Sequence, residues 1–197
     1  MSKVMTALSV SVDGYITGRD PGAGRGLGDA PMLFDWYFDG DVASEVFTGF
    51  RLSRASAAVF DAAAARVGAS LAGRNTYDDS GWGEGGAPHP HAPLVVLSHR
   101  PLPARHDRQT LVTTGIEDAV ATARTVAGDL DVALMGGGVV TAALQASLVD
   151  ELILHQVPIL LGAGRPFFQA LPEHVNLRLL DAVAAPGVTH LHYEVLR

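Results

Sequence analysis

The sequence predicts an α/β domain: a mixed, mostly parallel sheet with helices on both faces, closed by a C-terminal antiparallel hairpin. Three observations predict it. Short apolar, β-branched runs alternate with helical-period segments along most of the chain, as in successive β–α–β units. The last two alternating runs, 177–184 and 189–196, flank Pro186-Gly187, a hairpin signal. Apolar residues make up 48 % of 197 positions and charged residues 18 %, enough for a single domain over 1–197 with a real core.

Each element has its own justification. Residues 4–12 are apolar and β-branched, a buried first strand that Asp13-Gly14 breaks. Residues 17–40 are rich in Gly, Pro and Asp yet carry Phe34, Trp36, Tyr37 and Phe38. A long loop with four aromatics reads as a lid or a packed Ω-loop. Ser53 is a helix N-cap for 54–66, and Gly68 is expected to end that helix. Residues 69–72 form a short strand running into Gly73-Arg74-Asn75-Thr76. A Gly/Pro loop over 80–93 leads to a buried strand at 93–98. A strand is expected at 111–114, then a helix opened by Thr114 or Gly115. Residues 132–135 are a strand, followed by Gly136-Gly137-Gly138 and a helix toward Leu148. Residues 152–157 form the last strand before the hairpin.

Charge and composition exclude several classes. The net charge is −7, and Lys and Arg form no stripe, so no nucleic-acid partner is expected. Without Cys there are no disulfides, thiolate nucleophiles or Cys-based zinc sites. No apolar run approaches the roughly 20 residues that span a bilayer. The first 12 residues lack the pattern of a secretory signal, so the cytoplasm is the expected location and no membrane partner is expected. His89-x-His91 and His190-x-His192 have a spacing that can ligate zinc, but a third ligand is not identifiable nearby, so no metal is expected.

Three loops at strand ends suit an anion. In Leu134-Met135-Gly136-Gly137-Gly138-Val139-Val140 a strand ends in glycines at a helix start. Free N–H groups and the helix dipole there favour a phosphate, and the absent Cβ atoms let it approach; a tight turn needing positive φ is the equal alternative. Gly73, Arg74, Asn75 and Thr76 offer a guanidinium fork and a hydroxyl, or simply a capped helix with a solvated Arg. Leu97, Ser98, His99 and Arg100 offer a second cation, or an ordinary polar strand end. Together the three fit one anionic ligand lying across the carboxyl edge of the sheet. Two arginines aimed at one place favour NADP over NAD.

The motifs 11–16 (Ser-Val-Asp-Gly-Tyr-Ile), 73–77 (Gly-Arg-Asn-Thr-Tyr), 96–98 (Val-Leu-Ser), 136–138 (Gly-Gly-Gly), 150–152 (Asp-Glu-Leu) and 160–168 (Leu-Leu-Gly-Ala-Gly-Arg-Pro-Phe-Phe) occur in a specific order and spacing. In this the chain resembles the dihydrofolate-reductase-like superfamily, specifically its branch similar to the C-terminal reductase domain of bacterial riboflavin biosynthesis. The resemblance implies an NADPH-dependent oxidoreductase. It implies that the residues at 73–76 hold the adenosine phosphate and that those at 97–100 flank the adenine and its ribose phosphate. Gly136, Gly137 and Gly138, continued by Val139 and Val140, would meet the pyrophosphate, with Ala7 and Ile16 near the nicotinamide. No acid on the first helix matches the one that grips the pterin in dihydrofolate reductases; Asp61 is the only acid there. A phosphoribosyl substrate would need cations, for which Arg165, then Arg51 or Arg54, are candidates. Relatives tend to dimerise near 152–168, so a homodimer is expected.

Hydride transfer asks the protein mainly for orientation and a proton. Asp13, ending the first strand, is the first candidate for the proton, or else a turn residue. His155 is the second, or else a structural core histidine. Trp36, with Phe34 and Tyr37, is a candidate platform for a flat heterocyclic small-molecule substrate, or else loop packing. The expected activity is reduction of a C=N, C=C or C=O bond. The alternatives are the riboflavin-pathway 5-amino-6-(5-phosphoribosylamino)uracil reductase itself and a non-catalytic NADPH sensor.

Overall fold

The computed structural model describes residues 2–197. Its main sheet has eight strands in the order β6-β5-β4-β7-β1-β8-β10-β9. β1 (Val4–Ser11), β4 (Val67–Gly73), β5 (Leu94–Leu97), β6 (Gln109–Val112), β7 (Asp131–Met135) and β8 (Glu151–Val157) are mutually parallel. β10 (Val188–Val195) pairs antiparallel with β8 and with the edge strand β9 (Leu177–Ala185). β2 (Val42–Ala43) and β3 (Arg51–Leu52) form a separate two-stranded ribbon. The expected fold class holds.

Alternation on the strands sorts the core into two layers. On one face α3 (Ile116–Ala127) and α4 (Gly137–Gln145), which follow the short α2 (Arg74–Asp79) in the chain, bury Ala119, Ala123, Val140 and Ala143 against Val4, Leu71, Val132 and Leu134. On the other, α1 (Arg54–Ala64) packs Ala63 over Met5, Ala133 and Ile153, with Phe60 in the neighbouring cluster beside Val157 and Val188. Ser53 caps α1 as its sequence predicts, accepting from the Ser56 N–H at 3.1 Å.

Three element readings need correction. Gly68 does not end α1; the helix stops at Ala64, and Gly68 lies within β4, where a Cβ would collide with the Ala127 carbonyl and Leu130. β6 begins two residues before the expected strand. Gln109 opens it because its side chain is buried and bonded to the Tyr77 hydroxyl and to the carbonyls of Trp82 and Gly86. The aromatic loop contains a 3₁₀ turn, Pro31–Tyr37, which buries Leu33 and Trp36. No helix among the described residues is long and apolar enough to cross a membrane.

Candidate functional site

The site begins as a fault in the sheet. β1 follows β8 in register from Met5 opposite Glu151 to Ser11 opposite Val157. On its other side β1 pairs with β7 only through Val4 with Val132 and Met5 with Ala133. Beyond that the strands part, and Thr6 Oγ1 reaches across to donate to the Leu134 carbonyl at 3.0 Å where the backbone ladder has stopped. The gap opens at the carboxyl ends of the parallel strands, where open α/β sheets bind ligands. It forms a cleft of about 1440 Å³. That exceeds the roughly 300–1,000 Å³ of an ordinary small-molecule pocket, so two ligands fit side by side.

One end of the cleft is built for an anion. All three strand-end loops singled out from the sequence converge there: Gly73 to Thr76, Leu97 to Arg100, and Gly136 to Val139 line it, as do Ala7 and Ile16 nearer the middle. α4 starts at Gly137 with no side-chain cap, and its first intrahelical bond runs from the Val140 N–H to the Gly136 carbonyl. The N–H groups of its first turn are therefore free for a ligand. A Cβ built on Gly138 would meet nothing nearer than Gln169 Nε2 at 3.7 Å, so its backbone is open to close approach. Gly136 is required for a different reason: its φ is +98° and a Cβ would strike Thr76 Oγ1, so the two loops touch. This donor set fits a pyrophosphate. Val140 is the exception. It sits on the buried face of α4 in the core and does not line the cleft.

The two arginines differ. Arg74 is spent on the protein: Nε donates to Asp78 at 2.7 Å and Nη1 to the Pro101 carbonyl at 2.8 Å. Arg100 reaches the other oxygen of Asp78 at 3.2 Å, but its side chain is 61 % exposed. Arg100 is thus the cation free to turn toward a phosphate, and Arg74 is its anchor.

The other end is aromatic. Phe34, Tyr37, Phe38, Phe47, Phe50 and Phe60 wall a chamber floored by Met5, Ala7 and Ser9 of β1. Phe47 and Phe50 are stacked at 5.1 Å, and Phe60 lies 5.2 Å from Tyr37. Arg25 lies on the rim, exposed and without an acidic partner among the described residues. Arg165 also lines the cleft, paired with Asp79 and with its N–H on Thr17 Oγ1 at 3.0 Å. Arg51 donates instead to the Asp41 carbonyl. The sequence reading missed Phe47 and Phe50, which stand in the loop between β2 and β3, too short to show a period.

Besides Val140, three expected site residues lie outside the cleft. Trp36 is 4 % exposed and turned inward, donating from Nε1 to Ser9 Oγ at 3.0 Å and packing on His155, His190 and Phe60. Behind it His155 is fully buried, its Nδ1 2.8 Å from His190 Nδ1, while His190 Nε2 meets Ser56 Oγ at 3.0 Å. Burial pushes His155 down to about 3 and His190 to about 4, so both are neutral at physiological pH. With no opening to the cleft, His155 cannot reach a substrate. Asp13 accepts from Ser11 Oγ at 2.6 Å, from the Leu161 N–H at 3.1 Å and from the Gly162 N–H at 2.7 Å. These bonds, Ser11 first, hold its carboxylate down at about 2. It is an ionised clamp on the loop after β8, not a proton source. Asp61, similarly, accepts from Ser44 Oγ and the Glu45 N–H. Among the described residues no three His, Asp or Glu side chains converge as a metal cluster.

A split, mostly parallel sheet with an anion cradle at one end of its cleft and an aromatic chamber at the other defines a domain of the dihydrofolate-reductase-like class. The chain belongs to the RibD C-terminal domain family, which it matches over residues 2–191. A protein of Shewanella sp. PV-4 described as a riboflavin biosynthesis protein is 25 % identical over the whole of both chains, with a TM-score of 0.70. A pyrimidine reductase-like protein from Corynebacterium diphtheriae shares the fold at 14 % identity and a TM-score of 0.64, covering all of this chain and 92 % of that one. Dihydrofolate reductase from Enterococcus faecalis, solved with NADP(H), does so at 14 % and 0.61, over 99 % of this chain and 97 % of its own. No curated protein sequence matches the chain significantly.

Proposed function

We propose that the protein is an NADPH-dependent reductase that transfers a hydride to a small, planar heterocyclic substrate. The observation that carries this reading is the two-ended cleft. The uncapped start of α4 and the Gly138 backbone hold the pyrophosphate, Arg100 meets the extra phosphate, and Ala7 and Ile16 flank the nicotinamide. NADPH bound there supplies the hydride. The aromatic walls stack on the substrate, orient it and exclude water. The RibD family membership favours a substrate of the 5-amino-6-(5-phosphoribosylamino)uracil type, and Arg25 on the chamber rim is the cation best placed for its phosphate.

Nicotinamide fluorescence titrations test the cofactor. NADPH is expected to bind at micromolar concentration and NADH much more weakly. Arg100→Ala is expected to weaken NADPH about tenfold, or about 1.4 kcal/mol, and to leave NADH unchanged. A chain that binds neither nucleotide refutes the reductase reading and leaves only a shared fold. Binding without oxidation of NADPH by any heterocycle supports a sensor instead.

A homodimer is part of the proposal. In the region expected to pair, 152–168, Leu152, Ile153, Val157 and Phe167 are spent in the chain's own core while Leu160 and Phe168 are exposed. The free edge strand β9 also exposes Leu177, Leu179 and Leu180, which supports pairing with a second copy there. Sedimentation of the native protein against a Leu179→Lys variant tests it; an unchanged monomer in both removes the proposal.

A further inference from the structure

The cleft also runs beneath the end of α1, into a recess apart from the anion cradle. Met5, Ala133 and Ser70 stand side by side on β1, β7 and β4, Met5 opposite Ala133 and Ala133 opposite Ser70. Ala69 and Leu71 face the layer of α3 and α4, so by alternation Ser70 faces α1. Ala63 and Ala64, in the last turn of α1, and His89, in the loop before β5, join this row in lining the cleft. Two polar groups here have no partner. Ser70 is 1 % exposed, yet its Oγ makes no hydrogen bond among the described residues, while its N–H donates to the Pro93 carbonyl at 2.9 Å. His89 is 7 % exposed, and its Nδ1 accepts from the N–H groups of His91 at 3.2 Å and Ala92 at 3.0 Å. The hydrogen of the neutral ring therefore sits on Nε2, where nothing receives it. Adjacent residues, Ala92 and Pro93, thus tie the two groups to one stretch of chain. A buried donor without a partner is unfavourable unless something else completes its bonding.

We propose that this recess receives the carbonyl-bearing edge of the substrate ring, and that Ser70 selects the substrate by donating its hydroxyl hydrogen to the carbonyl oxygen. The inference rests on the aromatic chamber being the substrate site, and it adds the direction in which the ring enters. The occupant is a neutral acceptor. None of the six side chains named carries a charge, since burial lowers the pKa of His89 and keeps its ring neutral. An ionised phosphate or carboxylate would lose its hydration there with no counter-charge in return. The His89 Nε2–H has the same polarity: it can only donate, so an amino group turned inward would set donor against donor. Phosphate belongs at the rim instead, where Arg25 lies. A substrate of the 5-amino-6-(5-phosphoribosylamino)uracil type therefore lies with its pyrimidine carbonyls inward and its phosphoribosyl arm outward. The space depends on Ser70 and Ala133 being small, because a larger side chain at either position fills the recess from its floor.

Two planar probes that need no turnover test the inference by calorimetry on the NADP⁺-loaded protein. One is 5,6-diaminouracil; the other is 4,5-diaminopyrimidine, the same diamino ring without its carbonyls. The wild type is expected to bind the uracil at least about tenfold more tightly. Ser70→Ala deletes only the hydroxyl. It is expected to weaken the uracil about tenfold, to leave the diaminopyrimidine unchanged, and to keep NADPH affinity within about twofold, the sign of an intact fold and cradle. Ala133→Val fills the floor of the recess and is expected to weaken the uracil at least as much, with NADPH again within about twofold. If Ser70→Ala binds the uracil as the wild type does, or loses both probes equally, the role of Ser70 is overturned and the reductase reading stands. If the wild type binds NADPH but neither probe, the inference falls with the substrate class. If it binds no NADPH, the reductase reading itself falls.

Discussion

Lowering the pH from 8 to 5 is expected to remove about 4 kcal/mol of stability, through the pair His155 and His190. Both are held neutral in the folded chain, at about 3 and about 4, by burial under Trp36, and no carboxylate touches either ring. Once unfolded, each imidazole returns to about 6.5. Their contribution is therefore complete above about pH 6.5 and drains away as the pH falls toward the folded values. At pH 5 the unfolded chain takes up nearly two protons that the folded chain refuses. Each is worth about 1.4 kcal/mol per pH unit over about 1.5 units, or about 2 kcal/mol per histidine. His89, also depressed by burial, adds in the same direction. Glu151 and Asp13, both lowered to about 2, lose stability only below about pH 4.5 and do not enter this window. Urea unfolding at pH 8, 6 and 5 measures the slope. A double His155→Gln, His190→Gln variant is expected to flatten it. A wild-type protein whose stability at pH 5 lies within about 1 kcal/mol of that at pH 8 refutes the argument.

Two further outcomes follow from the site. Gly136→Ala places a methyl on Thr76 Oγ1 at a positive φ, and is expected to weaken NADPH at least tenfold and to destabilise by about 1–3 kcal/mol, read by fluorescence titration and denaturation. Asp13→Asn is expected to retain NADPH affinity and most of kcat while the loop after β8 becomes easier to cleave by limited proteolysis; loss of all activity with an intact loop would restore Asp13 as the proton source.

Much of the fold was legible because its signals are local. Apolar β-branched runs, the Ser53 cap and the Pro186-Gly187 turn each depend on a few neighbouring residues, and the structure keeps them. The anion end of the cleft was legible for the same reason: Gly73 to Thr76, Leu97 to Arg100 and Gly136 to Val139 each end a strand of known direction. What stayed hidden depends on contacts far apart in the chain. Gly68 looks like a helix stop until Ala127 and Leu130 are seen against it. Asp13 and His155 have the right chemistry, but their partners Gly162 and His190 lie 149 and 35 residues away. Trp36 and Tyr37 are adjacent in sequence, yet one turns into the core and the other onto the cleft, a choice made by a 3₁₀ turn that no periodicity announces.

The interrupted pairing of β1 with β7 also governs how the molecule breathes. Two rungs and the Thr6 strut lace the two halves of the sheet at one end; at the other they are unfastened. A ligand that touches Gly138 on one margin and Ala7 on the other supplies the rung that the backbone lacks. A ligand bound across this seam is expected to slow amide exchange on both of its margins rather than in a single loop.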